Sequence, residues 1–230
     1  MKTTAVKAVS GLVFLFLLGS SFFVGAQSLK DFDGNEYQTA KYGMQEWTAS
    51  NLNVSCFLNG DSIPQAKTNQ QWAKAGSEGK PAWCYFNNDP ENGKKYGKLY
   101  NWYAINDKRG LAPKGYLIPT NEHWRMLVKN LLGVDVAGIK LKSKTGWKSK
   151  NGTDNIKFAA LPGGYRDEMG AFKELGTKGQ WWSNSEPVEV KKSNLIYAFV
   201  LNDFNVQVTY IKMKKECGLS VRCIKGESKK

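Results

Sequence analysis

The residues best suited to acid–base chemistry lie together near the middle of the chain, at Glu122, His123 and Arg125. A histidine acts as a general base when a further group orients it and a substrate lies within reach. His123 is the only histidine of the chain, and it falls in the first turn of a predicted helix. A capping or surface role is therefore favoured over catalysis, and we expect no catalytic residues here.

Calcium chemistry is a second possibility, because Asp31 to Asn35 reads Asp-Phe-Asp-Gly-Asn. An EF-hand loop needs Gly at its sixth position and Glu at its twelfth, whereas this stretch has Gly fourth and Tyr42 twelfth. Asp, Asn and Gly are also ordinary turn formers. The stretch is interpreted as a plain turn, and the sequence predicts neither a metal ion nor any other cofactor.

Cysteine chemistry is the third possibility. Cys56, Cys84, Cys217 and Cys223 include no Cys-x-x-Cys spacing, so neither a zinc site nor a thioredoxin-like site is indicated. Four cysteines in an exported chain suggest two disulfides. If residues 218–224 form a strand, Cys217 and Cys223 are too far apart to bond each other, since the Cα atoms must come within about 7 Å. We therefore expect each of them to pair with Cys56 or Cys84.

Residues 1–26 have the features of a secretory signal peptide. Lys2 and Lys7 precede an apolar run from Gly11 to Phe23, and small residues at 24–26 suit a cleavage site. The apolar run is short for a membrane span, and the residue after the cleavage site would be Gln rather than a lipid-anchored Cys. We expect residues 27–230 to form one domain that is periplasmic, cell-surface or secreted, without a membrane span.

The charge balance bears on the class of partner. The chain has a net charge of +13, and removing Lys2 and Lys7 leaves 31 basic against 20 acidic side chains, about +11. Lysines make up 29 of the 33 basic residues and are spread along the chain without an Arg-rich cluster. A nucleic-acid partner is therefore not expected. The simpler interpretation of the charge is a solvated cationic surface that is attracted to anionic polysaccharide or lipid headgroups.

A helix from Asn121 to Leu132 is the element expected to organise the fold. Pro119 disfavours helix in the residue before it, Thr120 can cap with its hydroxyl, and Gly133 ends the pattern. His123 stands where a capping box would have Glu or Gln, so Thr120 is expected to cap alone. Apolar residues then recur at helical spacing on one face, at Trp124, Leu127, Val128, Leu131 and Leu132.

Strands are expected on both sides of this helix. Alternating apolar residues bounded by turn formers predict an amino-terminal hairpin of Glu36–Ala40 and Gln45–Thr48, and strands at Ala82–Phe86, Gln180–Ser185, Leu195–Leu201, Asn205–Met213 and Leu219–Ile224. Residues 56–80 are polar and are predicted to form a long loop with at most one helical turn. Residues 96–105 fit a short helix and a twisted strand equally well.

Seven ordered stretches, called the seven motifs below, carry a recognisable pattern. They are Asp33-Gly-Asn-Glu-Tyr37, Gln45-Glu-Trp47 with Asn51-Leu52, Tyr96-Gly-Lys-Leu-Tyr-Asn-Trp-Tyr-Ala104, Pro113-Lys-Gly-Tyr116 with Pro119-Thr120 and Trp124, Ala160-Leu-Pro-Gly-Gly-Tyr-Arg166, Trp181-Trp-Ser183 and Ser220-Val-Arg-Cys223. In these stretches the chain closely resembles the Fibrobacter succinogenes major paralogous domain family, over nearly all of residues 27–230. It differs at Ala112, where many members carry Cys.

The resemblance implies a fold and a setting. The family occurs in exported and surface proteins of Bacteroidetes-like bacteria, and residues 117–124 also resemble the distantly similar formylglycine-generating-enzyme group. The implied fold is α+β and C-type-lectin-like, with small twisted antiparallel sheets, one main helix at about 121–132 and long irregular loops. The single histidine cannot form the iron site of the related sulfoxide synthases, and Cys84 lies in an apolar run. We therefore expect no enzyme.

A calcium-dependent lectin-like binder is one alternative that the resemblance leaves open. Glu186-Pro-Val188 and Leu201-Asn-Asp203 partly match the calcium-binding stretches of such lectins. Glu186, Asn202 and Asp203 supply fewer oxygens than the roughly six to eight that calcium takes. A purely structural envelope component is a further alternative.

The preferred interpretation is an exported, non-enzymatic binding or interaction module of the cell envelope. The chain has eight Trp and ten Tyr, and flat rings stack on sugar faces and anchor protein interfaces. Five aromatic residues are expected in the core, namely Trp47, Trp102, Trp124, Trp181 and Tyr100. The residues expected to bind a glycan or a cell-envelope protein lie in or beside loops: Trp72, Trp147, Tyr165, Arg166, Trp182, Asn202 and Asp203.

Overall fold

Helices and strands are mixed along the chain, as an α+β fold requires. The computed structural model describes residues 29–187 and 193–226, so the expected signal peptide lies outside the described residues. The helices are α1 (Asn69–Ser77), α2 (Pro90–Tyr96), α3 (Trp102–Ile105), α4 (Asn121–Asn130) and α5 (Ala137–Leu141). Within the described ranges, none of the helices is long and apolar enough to cross a membrane.

The strands are short except near the carboxyl terminus. They are β1 (Leu29–Lys30), β2 (Glu36–Tyr37), β3 (Thr39–Tyr42), β4 (Gln45–Thr48), β5 (Trp83–Cys84), β6 (Leu99–Tyr100), β7 (Tyr116–Leu117), β8 (Tyr165–Arg166), β9 (Phe172–Lys173), β10 (Lys178–Trp182), β11 (Leu195–Asn202), β12 (Val208–Lys214) and β13 (Ile224–Lys225). They form small antiparallel sheets, of which the largest have the orders β3-β4-β13-β7 and β10-β11-β12. Ile224 pairs with both Trp47 and Leu117, so the first of these sheets ties the two ends of the domain together.

Helix α4 confirms the expected start at Asn121 and ends two residues earlier than expected, at Asn130. The prediction that Thr120 caps alone is wrong. The Thr120 hydroxyl accepts from the His123 backbone N–H at 3.3 Å, and the Thr120 backbone N–H donates to His123 Nδ1 at 3.1 Å. His123 can complete this capping box because its neutral ring carries an acceptor nitrogen, as the Glu side chain carries an acceptor oxygen.

An aromatic cluster fixes α4 on the β10-β11-β12 sheet. Trp124 stacks on Phe199 of β11 with ring centroids 4.2 Å apart, and its other side meets Trp47 at 4.6 Å. Phe158 contacts the same indole in a T-shaped arrangement, and Trp181 contacts it at a tilt. All five side chains are fully buried, and aromatic pairs add to the free energy of burial. The core role expected for Trp47, Trp124 and Trp181 is confirmed.

Three local predictions need correction. Residues 56–80 contain a nine-residue helix, α1, because Thr68 and Gln71 form a capping box and Trp72 is buried. Trp102, which was expected in the core, is only half-buried. It opens helix α3, which follows strand β6, so residues 96–105 contain both of the structures that were left open. The segment 218–224 is not one strand: Leu219 bridges to Tyr100 and Ser220 to Trp181 before β13 begins.

The expected disulfides are absent, since all four cysteines, which lie within the described residues, are free. Cys84 belongs to one apolar cluster, with Trp72 and Leu99, whereas Cys217 and Cys223 belong to another. Cys56 is half-exposed and its sulfur lies 4.0 Å from the Ser62 hydroxyl. The prediction failed because it assumed a continuous strand after Cys217, and because packing separates the sulfurs that were expected to pair.

Candidate functional site: a polar cleft beside helix α2

The loop residues predicted to bind a ligand are not exposed. Six of them are buried and Tyr165 is half-buried; the six are Trp72, Trp147, Arg166, Trp182, Asn202 and Asp203. Large rings beside a loop bury much apolar surface when neighbouring segments fold over them. A position in or beside a loop therefore does not expose these side chains, and their role in binding stays a prediction.

Arg166 and Trp72 form a structural pair that joins distant segments. The Arg166 guanidinium carbon lies 4.8 Å from the centre of the Trp72 ring and 4.6 Å from that of Phe172. Its Nε donates to the Gly170 carbonyl at 2.9 Å and its Nη1 to the Ala66 carbonyl at 2.8 Å. Arg166 thus holds helix α1 against strand β9 and does not present its charge to solvent.

The other predicted site residues have separate partners. The Trp182 indole N–H donates to the Tyr100 carbonyl at 2.7 Å, and the Trp147 indole N–H donates to the Ala160 carbonyl at 3.1 Å. Asp203 accepts from the Ser149 hydroxyl at 2.9 Å, whereas Glu186 pairs with a lysine. Among the described residues, no group of three or more His, Cys, Asp or Glu side chains is placed to hold a metal ion.

A polar cleft of about 310 Å³ opens instead between the amino-terminal strands and helix α2. We call this the polar cleft. Its lining is Asn35, Glu36, Tyr37, Ala49, Ser50, Asn51, Asn53, Gly93, Lys94, Lys95, Tyr96, Gly97, Ala159, Leu161 and Arg222. Residues from five of the seven motifs are on this list, at 35–37, 51, 96–97, 161 and 222. Stretches far apart in the chain therefore converge on one concave surface.

Asn51 links the walls of the polar cleft. Its side-chain N–H donates to the Tyr96 carbonyl at 2.8 Å. Its Oδ1 accepts from the Trp181 indole N–H at 2.8 Å and from Arg222 Nε at 2.7 Å. Gly97 lets the chain approach closely here: its φ is +75°, and a Cβ would lie 2.7 Å from the Leu52 carbonyl oxygen. These bonds make the walls rigid before any ligand arrives.

A buried hydrogen-bond network fixes the backbone of Asn53. The Asn53 N–H donates to the Tyr37 hydroxyl at 3.0 Å, and that hydroxyl donates to Asp31 Oδ2 at 2.5 Å. Burial, reinforced by Asp31, raises the pKa of Tyr37 well above its ordinary value, so the hydroxyl keeps its proton. The ammonium of Lys98 donates to the Asn53 carbonyl. Asp31 to Asn35 also forms a turn, with Gly34 N–H donating to the Asp31 carbonyl at 3.1 Å.

The side-chain oxygen of Asn53 has no such partner. Asn53 Oδ1 is buried and accepts no hydrogen bond from any described residue. Buried polar atoms are nearly always paired, and Asn53 lines the polar cleft. The unpartnered acceptor therefore belongs to a side chain of the cleft wall, where a ligand in the polar cleft is its nearest available donor.

One signal for this site is present in the sequence. Asn35, Asn51 and Arg222 belong to the seven motifs, but none of them is among the predicted site residues. Polar side chains are costly to bury unless they are hydrogen-bonded. The motif positions are visible from the sequence, whereas the burial of these side chains and the convergence of the stretches are not.

The comparison with protein families agrees with the resemblance. The model of the Fibrobacter succinogenes major domain matches residues 40–225, which is most of the chain. The chain belongs to this family. Neither a curated protein nor a solved structure gave a significant match.

Proposed function

We propose that this member of the Fibrobacter succinogenes major domain family is an exported, non-enzymatic binding module of the cell envelope, and that it holds a glycan in the polar cleft. The C-type-lectin-like arrangement is proposed as its finer fold description. One amphipathic helix, α4, packed on small antiparallel sheets supports that description.

The observation that carries the proposal is the unpartnered Asn53 Oδ1 in the polar cleft. An unsatisfied buried acceptor costs about 1–3 kcal/mol, and a sugar hydroxyl is a donor that would recover it. Asn35 and Ser50 also line the cleft, and their side chains carry the donor and acceptor atoms that hydroxyl groups need. The volume of about 310 Å³ lies at the lower end of the range typical of ligand sites, which suits the end of a chain of sugars.

The nucleophile candidates support a non-enzymatic role. Burial raises the pKa of the Cys84 and Cys217 thiols to about 12, so both are protonated and unreactive at neutral pH. The His123 Nδ1 lone pair is engaged by the Thr120 backbone N–H in the capping box of α4. Neither of these two thiols is therefore an activated nucleophile, and His123 Nδ1 is already engaged within the helix cap.

A glycan array tests the proposal with the purified protein, Asn53→Ala and the control Asn155→Ala. Asn155 is exposed and does not line the polar cleft. We expect the wild type and Asn155→Ala to bind the same glycans, and Asn53→Ala to bind them about tenfold more weakly, since one hydrogen bond is lost. Asn53→Ala should not lower the stability of the ligand-free protein through Oδ1, which has no partner to lose.

Two results would overturn the glycan proposal. If no glycan binds and a pull-down from envelope extracts recovers a single protein, the module binds protein. If neither experiment yields a partner, and a thermal-shift screen of sugars, calcium and peptides gives no shift, the protein is a structural component. A ligand that binds only the native state must raise its melting temperature.

A further inference from the structure

Arg222 carries a positive charge into the wall of the polar cleft. Its side chain is 1% exposed, and its guanidinium carbon lies 4.5 Å from the centre of the Phe158 ring. Its Nη1 donates to the Thr48 carbonyl at 2.7 Å and its Nη2 to the Ala159 carbonyl at 3.1 Å, in addition to the Nε bond to Asn51. Every acceptor in this set is a neutral oxygen, and among the described residues Arg222 forms no ion pair.

A buried charge of this kind is normally paired. Arg109 is paired with both Asp61 and Asp107. The buried Arg166 bonds only to neutral oxygens, as Arg222 does, but it does not line the polar cleft. Burial lowers the pKa of Arg222 to about 9, which reflects the cost of holding its charge away from water. Asp154 acts on Arg222 electrostatically, but its Oδ1 accepts from the Ala159 N–H at 2.7 Å and does not reach the guanidinium.

The rim of the polar cleft adds positive charge that is not neutralised. The lining has three basic side chains, at Lys94, Lys95 and Arg222, and one acidic side chain, Glu36. Glu36 is paired with Lys30 at 2.8 Å, and Lys94 is paired with Glu91 at 2.6 Å. Lys95 is exposed and lies over the Tyr96 ring, 4.9 Å from its centre. An incoming anion would therefore meet Lys95 first and Arg222 at the wall.

We propose that the group held in the polar cleft is the carboxylate of an acidic sugar, set against Arg222 and Lys95, with a hydroxyl of the same sugar donating to Asn53 Oδ1. This inference rests on the proposed glycan-binding function and names its ligand class. A carboxylate supplies the negative charge that would pair with Arg222. Its two oxygens can accept hydrogen bonds from a guanidinium and from an ammonium group. The net positive charge of the whole chain favours approach of such an anion.

The test is calorimetric titration of the purified protein with galacturonic acid, galactose and acetate. We expect galacturonic acid to bind at least tenfold more tightly than galactose or acetate, and to weaken as salt is raised, since exposed charges are screened. Acetate carries the charge without hydroxyl groups, and galactose carries hydroxyl groups without the charge. Weak binding of both acetate and galactose would show that the protein recognises the carboxylate and the hydroxyl groups together.

Three variants locate the binding. Lys95→Gln should weaken galacturonic acid several-fold and leave galactose unchanged, whereas Lys114→Gln, an exposed lysine outside the polar cleft, should change neither. Asn53→Asp places a negative charge at the unpartnered oxygen and should abolish binding of the acid. These variants avoid Arg222 itself, whose replacement removes three buried hydrogen bonds and would unfold the protein.

The outcomes separate the two proposals. Equal binding of galactose and galacturonic acid, unaffected by Lys95→Gln, would refute the acidic ligand and keep the glycan module. Acetate binding as tightly as galacturonic acid, without dependence on Asn53, would make the polar cleft a plain anion site and overturn the sugar. Failure of all three probes, together with a glycan array on which no glycan binds, would overturn this inference along with its premise.

Discussion

Replacing Cys84 by alanine should cost less stability at alkaline pH than near neutrality. The Cys84 thiol lies among buried apolar side chains, with Leu99 opposite it on the neighbouring strand. Burial raises its pKa from 9.0 to about 12, partly opposed by the nearby Arg166. In the unfolded chain the thiol would ionise at its ordinary pKa, so pH changes the two states unequally.

The sign and size follow from that difference. A group whose pKa is higher in the folded than in the unfolded state contributes unfolding free energy that is fully present below the unfolded pKa, here pH 9. This contribution is lost as the pH rises towards the folded pKa of about 12. At pH 10 the pH is one unit above the pKa of the unfolded thiol, which is therefore mostly ionised, while the folded thiol is still protonated. The wild type has then lost about 1.4 kcal/mol of unfolding free energy through this group. The alanine variant has no thiol, so the cost of Cys84→Ala falls by about 1.4 kcal/mol between pH 8 and pH 10.

Urea unfolding of the wild type and Cys84→Ala at both pH values, in the presence of a thiol reductant, measures this cost. Leu99→Ala is the matched control: it opens a cavity in the same cluster but removes no titratable group, so its cost should not change with pH. A Cys84→Ala cost equal at the two pH values would refute the reasoning. Labelling of denatured, unreduced protein should also find four free thiols, as the structure has them.

Two further predictions concern packing and backbone. Trp124→Ala should cost about 3–5 kcal/mol of unfolding free energy in urea, because it empties the centre of the aromatic cluster; a cost below 1 kcal/mol would contradict the packing. Gly97→Ala should cost more than the about 1–3 kcal/mol of a strained backbone conformation and should weaken ligand binding, because its Cβ would also meet the Leu52 carbonyl oxygen. Gly115→Ala shares the positive φ but has nothing within 4 Å of its Cβ, so equal costs for the two variants would refute the steric argument.

The parts of the fold that sequence reasoning predicted correctly are those with local causes. Helix α4 starts where Pro119 and Thr120 predicted, because cap chemistry involves residues only three apart. The strands β10, β11 and β12 overlap the expected ranges, since alternation of apolar residues is read within one segment. Helix α1 was missed because its apolar face has few members besides Trp72, so its stability depends on burial against Arg166.

The polar cleft could not be predicted in the same way. Asn51 and Arg222 are hydrogen-bonded although 171 positions separate them in the chain, and no periodicity reports such a contact. The same limitation explains why the burial of the loop tryptophans was not predicted. A ring beside glycines and lysines looks exposed along the sequence, and whether another segment covers it depends on the path of the whole chain.

The sequence by itself determined the family, the α+β class, the start of α4 and the turn at 31–35, because each of these depends on residues close together or on an ordered pattern of motifs. Only the tertiary structure decided that the cysteines stay apart, that the loop aromatics are buried, and that a buried arginine and an unpartnered asparagine oxygen share one cleft. The physical reason is that burial and pairing are properties of segments brought together by folding. Their free energies depend on neighbours that the chain order does not specify.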